Sequence, residues 1–218
     1  MRRAVVRTAS LEFERSLWAR GLNAVYGLDE AGRGAWAGPV YAGAVCLPAT
    51  GTDWESTLSG VFDSKAVRAA DRQALCSTIE MSGCFWGVGS AQSHEVDQMG
   101  IVPATRLAMT RALEAAIGHI EAQHPEHLLL DALRWNWRNT PYTAIVGGDR
   151  RSLSIAAASI LAKTHRDAFM TWLDAALPAY GFARHKGYGT QAHQAALAVH
   201  GPSEQHRMSF APLKSRLL

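Results

Sequence analysis

Four carboxylates stand out by where they fall. Asp29 and Glu30 close the run "VYGLDE", Asp131 closes "HLLLD" and Asp149 closes "YTAIVGGD". Each lies at the C-terminal end of an apolar stretch, the edge at which open α/β sheets bind ligands. On neighbouring strands they would converge, and like charges held close resist ionisation. A divalent cation removes that cost. An all-oxygen donor set without cysteine selects Mg²⁺ or Mn²⁺ over zinc. With a polyanionic partner, such a cluster can hold two metals across a scissile phosphate, one activating water and the other stabilising the leaving oxygen. Glu30 is the odd member. Adjacent strand residues point to opposite faces, so it joins Asp29 only where the strand ends or bulges, or through its backbone carbonyl. Taken singly, each aspartate also reads as a turn or a helix cap; the joint pattern is what points to a metal site.

Gly32-Arg33-Gly34 follows the first pair. It is not a phosphate loop. Read from Gly27, "GLDEAGRG" has Arg where GxxxxGK[ST] needs Lys, and Gly where it needs Ser or Thr. Glycines let backbone amides and carbonyls meet a ligand with no Cβ in the way, and Arg33 between them can fork onto a phosphate. A plain tight turn is the bland alternative. "FARHKGYGT", residues 182–190, sets Arg184, His185 and Lys186 beside Tyr188. Cations for phosphates plus a ring for stacking suit a nucleic acid; a surface loop with its ring tucked inward is the competing reading. Lys163 and Arg166 stay undecided between phosphate and solvent, and His206 and Arg207 carry the same two readings as the 182–190 loop.

The elements that must position these groups follow from pattern. Strands are expected at "AVYGLDEA", "PVYAGAVCLP" and "WGVGSA" as a meander, and later at "HLLLD" and "YTAIVGGD". Helices are expected after an Asp63 or Ser64 cap, over residues 93–100 with Ser93 as cap, and over 101–123 with Leu107, Leu113, Ile117 and Ile120 on one face. A long helix is predicted over 152–177, then a loop over 178–190, then a short helix between a Thr190 cap and a Gly201 stop. A meander followed by helix-linked strands implies a mixed sheet with helices packed on it. The run "IAAAS" predicts close helix–sheet packing, and Trp135 and Trp137 read as core.

The 218 residues are 48% hydrophobic, which suits one α/β domain with a small appendage. No transmembrane stretch or secretory signal is recognisable, so a cytoplasmic protein is expected. Cys46, Cys76 and Cys84 are odd in number with no CxxC pair, which predicts buried thiols rather than a disulfide framework or zinc site. The net charge of +3 hides an asymmetry. Residues 1–131 carry 11 Lys+Arg and 15 Asp+Glu, net −4; residues 132–218 carry 11 and 4, net +7, and the halves sum to +3. A basic second half suggests a polyanion, with nucleic acid the first candidate.

With those residues in view, "GLDEAGRGAWAGPV" resembles the signature of the type 2 ribonucleases H, and specifically bacterial ribonuclease HII. "DSK" at 63–65, "LLLDALR" at 128–134, "GGDRRSLSIAAASILAK" at 147–163, "RD" at 166–167, "HKGYGT" at 185–190 and "GPSEQHRMSFAP" at 201–212 match in order. The resemblance spans roughly residues 22–212. It implies an α/β ribonuclease H-like fold: a five-stranded mixed sheet flanked by helices, with a small helical C-terminal part. On that reading residues 1–20 form an arm or helix, 21–178 the catalytic domain, and 179–218 a substrate-binding loop and helical segment. It implies cleavage of the RNA strand of RNA–DNA hybrids by a monomer, and nicking of duplex DNA 5′ of an embedded ribonucleotide, leaving 3′-hydroxyl and 5′-phosphate. Asp29, Glu30, Asp131 and Asp149 would be catalytic and bind Mg²⁺ or Mn²⁺. Gly32, Arg33 and Gly34 would contact the 2′-hydroxyl region, Tyr188 would pack on the adjoining sugar, and Lys65, Arg184 and Lys186 would bind substrate. The sequence departs from the family at Ala35-Trp36, where Pro-Leu is usual, at Ala132 in place of Gly, and at Gly100 in place of Asn. The related ribonuclease HIII family carries an extra N-terminal domain that 20 residues cannot supply.

Overall fold

A computed structural model describes residues 7–118 and 123–214. Five strands, β1 (Val25–Ala31), β2 (Val40–Cys46), β3 (Phe85–Ala91), β4 (His127–Asp131) and β5 (Tyr142–Ile145), form one sheet in the order β3-β2-β1-β4-β5. The first three pair antiparallel as the expected meander, while β4 and β5 add parallel to β1. The helices are α1 (Glu12–Trp18), α2 (Trp54–Thr57), α3 (Ala69–Met81), α4 (Ser93–Met99), α5 (Ile101–Ile117), α6 (Leu153–Ala176), α7 (Phe182–His185) and α8 (Gln191–His200).

Alternation along the central strands divides the core. Tyr26, Leu28, Leu128 and Leu130 face one side, where Ala104, Ala108, Ala112 and Leu113 of α5 cover them. Val25 and Leu129 face the other side, against Ile155 of α6. On that face α6 lies close. A Cβ at Gly27 would overlap the Ser154 backbone, and one at Gly43 the Ala158 carbonyl. The small-residue run Ala156–Ala158 is the helix side of that contact, as its composition predicted. The N-terminal segment joins the core, with Ala9 and Leu11 buried and the Glu14 carboxylate fully buried against the start of α6. Trp135 and Trp137 pack inside, and the three cysteines are buried free thiols.

Several boundaries depart from the pattern-based expectation. α3 starts at Ala69, not after Asp63 or Ser64, because the Asp63 carboxylate accepts the Lys65 amide at 2.9 Å and holds a turn instead. Gln92, not Ser93, caps α4, in a box with Glu95. β5 ends at Ile145; Gly147, at φ +64°, swings the chain into a 3₁₀ turn that carries Asp149. The stretch expected as a loop after α6 contains a 3₁₀ turn and α7. Ile120 lies outside the described residues.

Candidate active site

The register of the central strands sets the acidic site. Leu28 pairs with Leu130 across the parallel β1–β4 ladder, so the next residues, Asp29 and Asp131, stand side by side on the α6 face. The 3₁₀ turn after β5 brings Asp149 to the same place just before α6. Carboxylate oxygens of Asp29, Asp131 and Asp149 all lie within 4.8 Å of one another. Asp131 is steadied by the Gly148 amide at 2.8 Å, and Asp29 by the Glu30 amide at 2.7 Å. Burial, then the charges of Glu30 and Asp131, holds the Asp29 carboxyl well above the usual carboxylate range. Burial, then Asp63 and Asp131, raises that of Asp149. The fold has thus gathered three carboxylates, and at Asp29 and Asp149 burial and like charge outweigh the opposing contacts. This hard, all-oxygen set is what a divalent ion of the Mg²⁺ or Mn²⁺ type requires.

Glu30 lies outside that 4.8 Å group but lines the same cleft as Asp29. Its Oε1 accepts from Arg33 at 3.0 Å, and its Oε2 is buried without a partner. Burial raises its carboxyl, against the opposing pull of Arg33. Arg33, predicted to fork onto phosphate, therefore spends one guanidinium nitrogen on Glu30 while its side chain remains 42% exposed.

The glycine turn rests on two arginines that sequence reasoning left undecided. Arg166 of α6 is fully buried; its Nε donates to the Pro39 carbonyl at 3.0 Å, and a Cβ on Gly32 would overlap it. Arg207, also fully buried, donates to the carbonyls of Gly38 at 3.0 Å and Arg33 at 2.8 Å. Burial, reinforced by Arg166, lowers the Arg207 guanidinium to about 9. The signal for both lay in "RD" and "QHRMSF", but nothing in those strings says that the arginines point inward to backbone carbonyls. Gly34 differs from Gly32. It is exposed, and an added Cβ there would meet nothing within 4 Å.

Tyr188 reaches the same cleft, about 470 Å³ in volume, whose walls include Asp29, Glu30, the Gly32–Gly34 turn, Lys65 and Lys163. Its ring lies 5.4 Å from the Arg166 guanidinium carbon, and its carbonyl is within 3.1 Å of His193 Nδ1. The exposed Lys65 pulls the Glu30 and Asp149 carboxyls down against their burial. Two predicted contacts stand apart. Arg184 projects from α7 at the edge of the fold, and the Lys186 ammonium is tied to α6 through Thr171 Oγ1 at 2.6 Å and the Asp167 carbonyl at 3.2 Å. Of the departures from the family, Ala132 is the one that strains the backbone, at φ +52° directly after Asp131. Trp36 fills the space over Gly189, where a Cβ would overlap its ring.

Comparison with known proteins places this geometry. The solved ribonuclease H2 of Pyrococcus horikoshii is similar in fold, with a TM-score of 0.68 at 21% identity, covering 88% of this chain and 95% of that one. A structure of Bst-RNase HIII in complex with Mn²⁺ scores 0.66 at 20% identity and covers 92% of this chain and 72% of that one. In sequence, ribonuclease HII of Roseiflexus castenholzii is 49% identical over 94% of this chain and 89% of its own length. That of Geobacillus thermodenitrificans is 44% identical over 95% of this chain and 76% of its own. The family described as Ribonuclease HII matches residues 26–213, from the strand that carries Asp29 to the segment that carries Arg207. The chain that gathers three aspartates at one edge of its sheet, beside a glycine turn braced by buried arginines, therefore belongs to the ribonuclease HII family.

Proposed function

We propose that this ribonuclease H hydrolyses the RNA strand of RNA–DNA hybrids and nicks duplex DNA on the 5′ side of embedded ribonucleotides, leaving 3′-hydroxyl and 5′-phosphate ends. The observation that carries this reading is the shared cleft: Asp29, whose carboxylate clusters with those of Asp131 and Asp149, lines one space with Glu30, the Gly32–Gly34 turn and Tyr188. Asp29, Asp131 and Asp149 would hold the divalent cations, with the unpartnered Glu30 Oε2 in the same cleft as Asp29. When bound, these ions activate water and stabilise the departing 3′-oxygen.

The remaining tasks fall to the protein. Arg166 and Arg207 fix the turn so that its amides and carbonyls meet the minor-groove edge of the ribonucleotide, where the 2′-hydroxyl distinguishes RNA from DNA. The two buried guanidiniums also set a positive potential under a polyanion. Tyr188 lays its ring on the adjoining sugar, and Lys65 and Lys163 face the phosphates. A removal role for ribonucleotides misincorporated into DNA follows from that specificity.

The test is cleavage of a labelled DNA duplex containing one ribonucleotide, beside an all-DNA duplex and an EDTA control. One cut 5′ of the ribonucleotide, dependent on metal and lost in Asp131→Asn with binding retained, is expected. Degradation of a long hybrid without the single cut would refute the junction-reading role of the turn and Tyr188. Full activity in Asp131→Asn would refute the acidic mechanism.

A further inference from the structure

A second cluster of ligating side chains lies between α3 and α6, outside the acidic cleft. Cys76 and Glu80 are one helical turn apart on α3, and His165 faces them from α6. Cys76 Sγ, Glu80 Oε1 and His165 Nε2 all lie within 4.8 Å of one another. Glu80 Oε1 is the focus, 2.9 Å from the imidazole nitrogen and 3.5 Å from the sulfur. The Trp86 indole donates to the Glu80 carbonyl at 3.2 Å, and its ring stands 6.4 Å from that of His165. The Trp86 indole thus packs beside the group and ties to the backbone of its central residue.

We propose that Cys76, Glu80 and His165 form a second metal site, selective for Zn²⁺ or a similarly borderline-soft divalent ion, that ties α3 to α6. Cysteine spacing alone gave no such pattern; the fold supplies the other two ligands. The donor chemistry is opposite to that of the aspartate trio. One sulfur, one imidazole nitrogen and one carboxylate oxygen match the ligands zinc prefers, and a three-ligand protein set leaves one position for water. The ordinary zinc bond lengths place tetrahedral ligand atoms about 3.4–3.6 Å apart, so the observed group needs only small side-chain adjustments. An ion can reach it from solvent: the His165 and Glu80 side chains are 38% and 28% exposed, while Cys76 forms the buried floor. The i, i+4 pair on one helix provides a fixed pincer, and His165 closes it from the second helix. Binding would anchor the helix that follows the Lys65 turn to the helix that carries Lys163 and Arg166.

The experiment titrates metal-stripped full-length protein with Co²⁺ and with Zn²⁺ in excess Mg²⁺, which fills the all-oxygen site. The proposal expects a near-ultraviolet thiolate-to-cobalt charge-transfer band that saturates at one equivalent and is displaced by Zn²⁺. The Asp131→Asn variant keeps the band. Cys76→Ser loses it, and His165→Ala, at a partly exposed position, weakens Zn²⁺ binding at least about tenfold. Zn²⁺ should also raise the unfolding temperature of the wild type but not of Cys76→Ser. Absence of a thiolate band in folded wild-type protein at saturating Co²⁺ would overturn the proposal. Zn²⁺ affinity unchanged in His165→Ala would do the same.

Discussion

Gly32 and Gly34 are two residues apart and lack a side chain for different reasons. Gly32 sits at φ +89° with the Arg166 side chain packed where its Cβ would be. The fold itself requires glycine there. Gly34 is outside the left-handed region and has open space beside it, so the fold places no such demand. On the proposed function, a Cβ at 34 would meet only a substrate entering the cleft. Gly32→Ala should cost at least about 3 kcal/mol, combining a left-handed alanine with overpacking against Arg166. Gly34→Ala should unfold at the wild-type temperature yet cleave the single-ribonucleotide duplex about 10²-fold more slowly, the scale of loss expected from a small misplacement of a reacting group. Thermal unfolding and cleavage rates, measured on both variants, separate the two. A Gly34→Ala enzyme with full activity would mean the turn is not in contact with substrate.

At the scale of elements, α6 organises the catalytic face, and its N-terminus is held by a residue that lies before the signature begins. Glu14 Oε1 accepts from Ser152 Oγ at 2.6 Å, the Ser154 amide at 2.9 Å and Ser154 Oγ at 2.6 Å, all buried. A carboxylate there also complements the helix dipole. Glu14→Ala leaves three buried donors without that acceptor, and should lower stability by about 3 kcal/mol; urea unfolding measures it. Nothing in "LEFERSLW" marked Glu14 as buried, because a charge on a short amphipathic helix usually faces water. The same limit explains Arg166 and Arg207. Charge reads as surface until the fold supplies carbonyls for it. Strand identities were legible, since β1, β2 and β4 are short apolar runs bounded by charge or turn residues, and so was the joint placement of Asp29 and Asp131. The position of Asp149 was not, because it depends on the left-handed Gly147 and not on β5. The trio nevertheless converged, since the 3₁₀ turn delivers Asp149 to the strand ends by another route. The α3 boundary was missed because a side chain that could cap a helix was used for a turn.

For the molecule as a whole, the basic half meets the acidic half at the cleft. The salt dependence of hybrid binding by the uncut Asp131→Asn variant reports how many cations neutralise phosphates. Arg184, with no ion pair among the described residues, should reduce the log–log slope by about 1 when changed to alanine. Lys186, tied to Thr171 and Asp167, should leave it unchanged. The Tyr188 segment is joined to the rest of the molecule by histidines that must stay neutral. His193 and His206 face each other, Nε2 to Nε2, at 3.0 Å, so one donates and the other accepts. The rings of His185 and His193 stack at 4.5 Å, and His193 Nδ1 reaches the Tyr188 carbonyl. Burial, then His193, lowers His206 from 6.5 to about 4, and burial lowers His193 as well. The unfolded chain therefore takes up protons before the native one does. Their contribution to stability is intact above pH 6.5 and is lost as pH falls from 6.5 through about 4. The raised carboxyls of Asp29 and Asp149 act in the opposite sense, since protonation relieves their repulsion. Comparison with His206→Gln cancels that background. The stability of the wild type relative to this variant should shrink steadily between about pH 7 and pH 4.5, as read by urea unfolding across that range. A difference that stays constant with pH would mean that His206 is protonated equally in both states, and that the histidine pair does not hold the tyrosine segment by staying neutral.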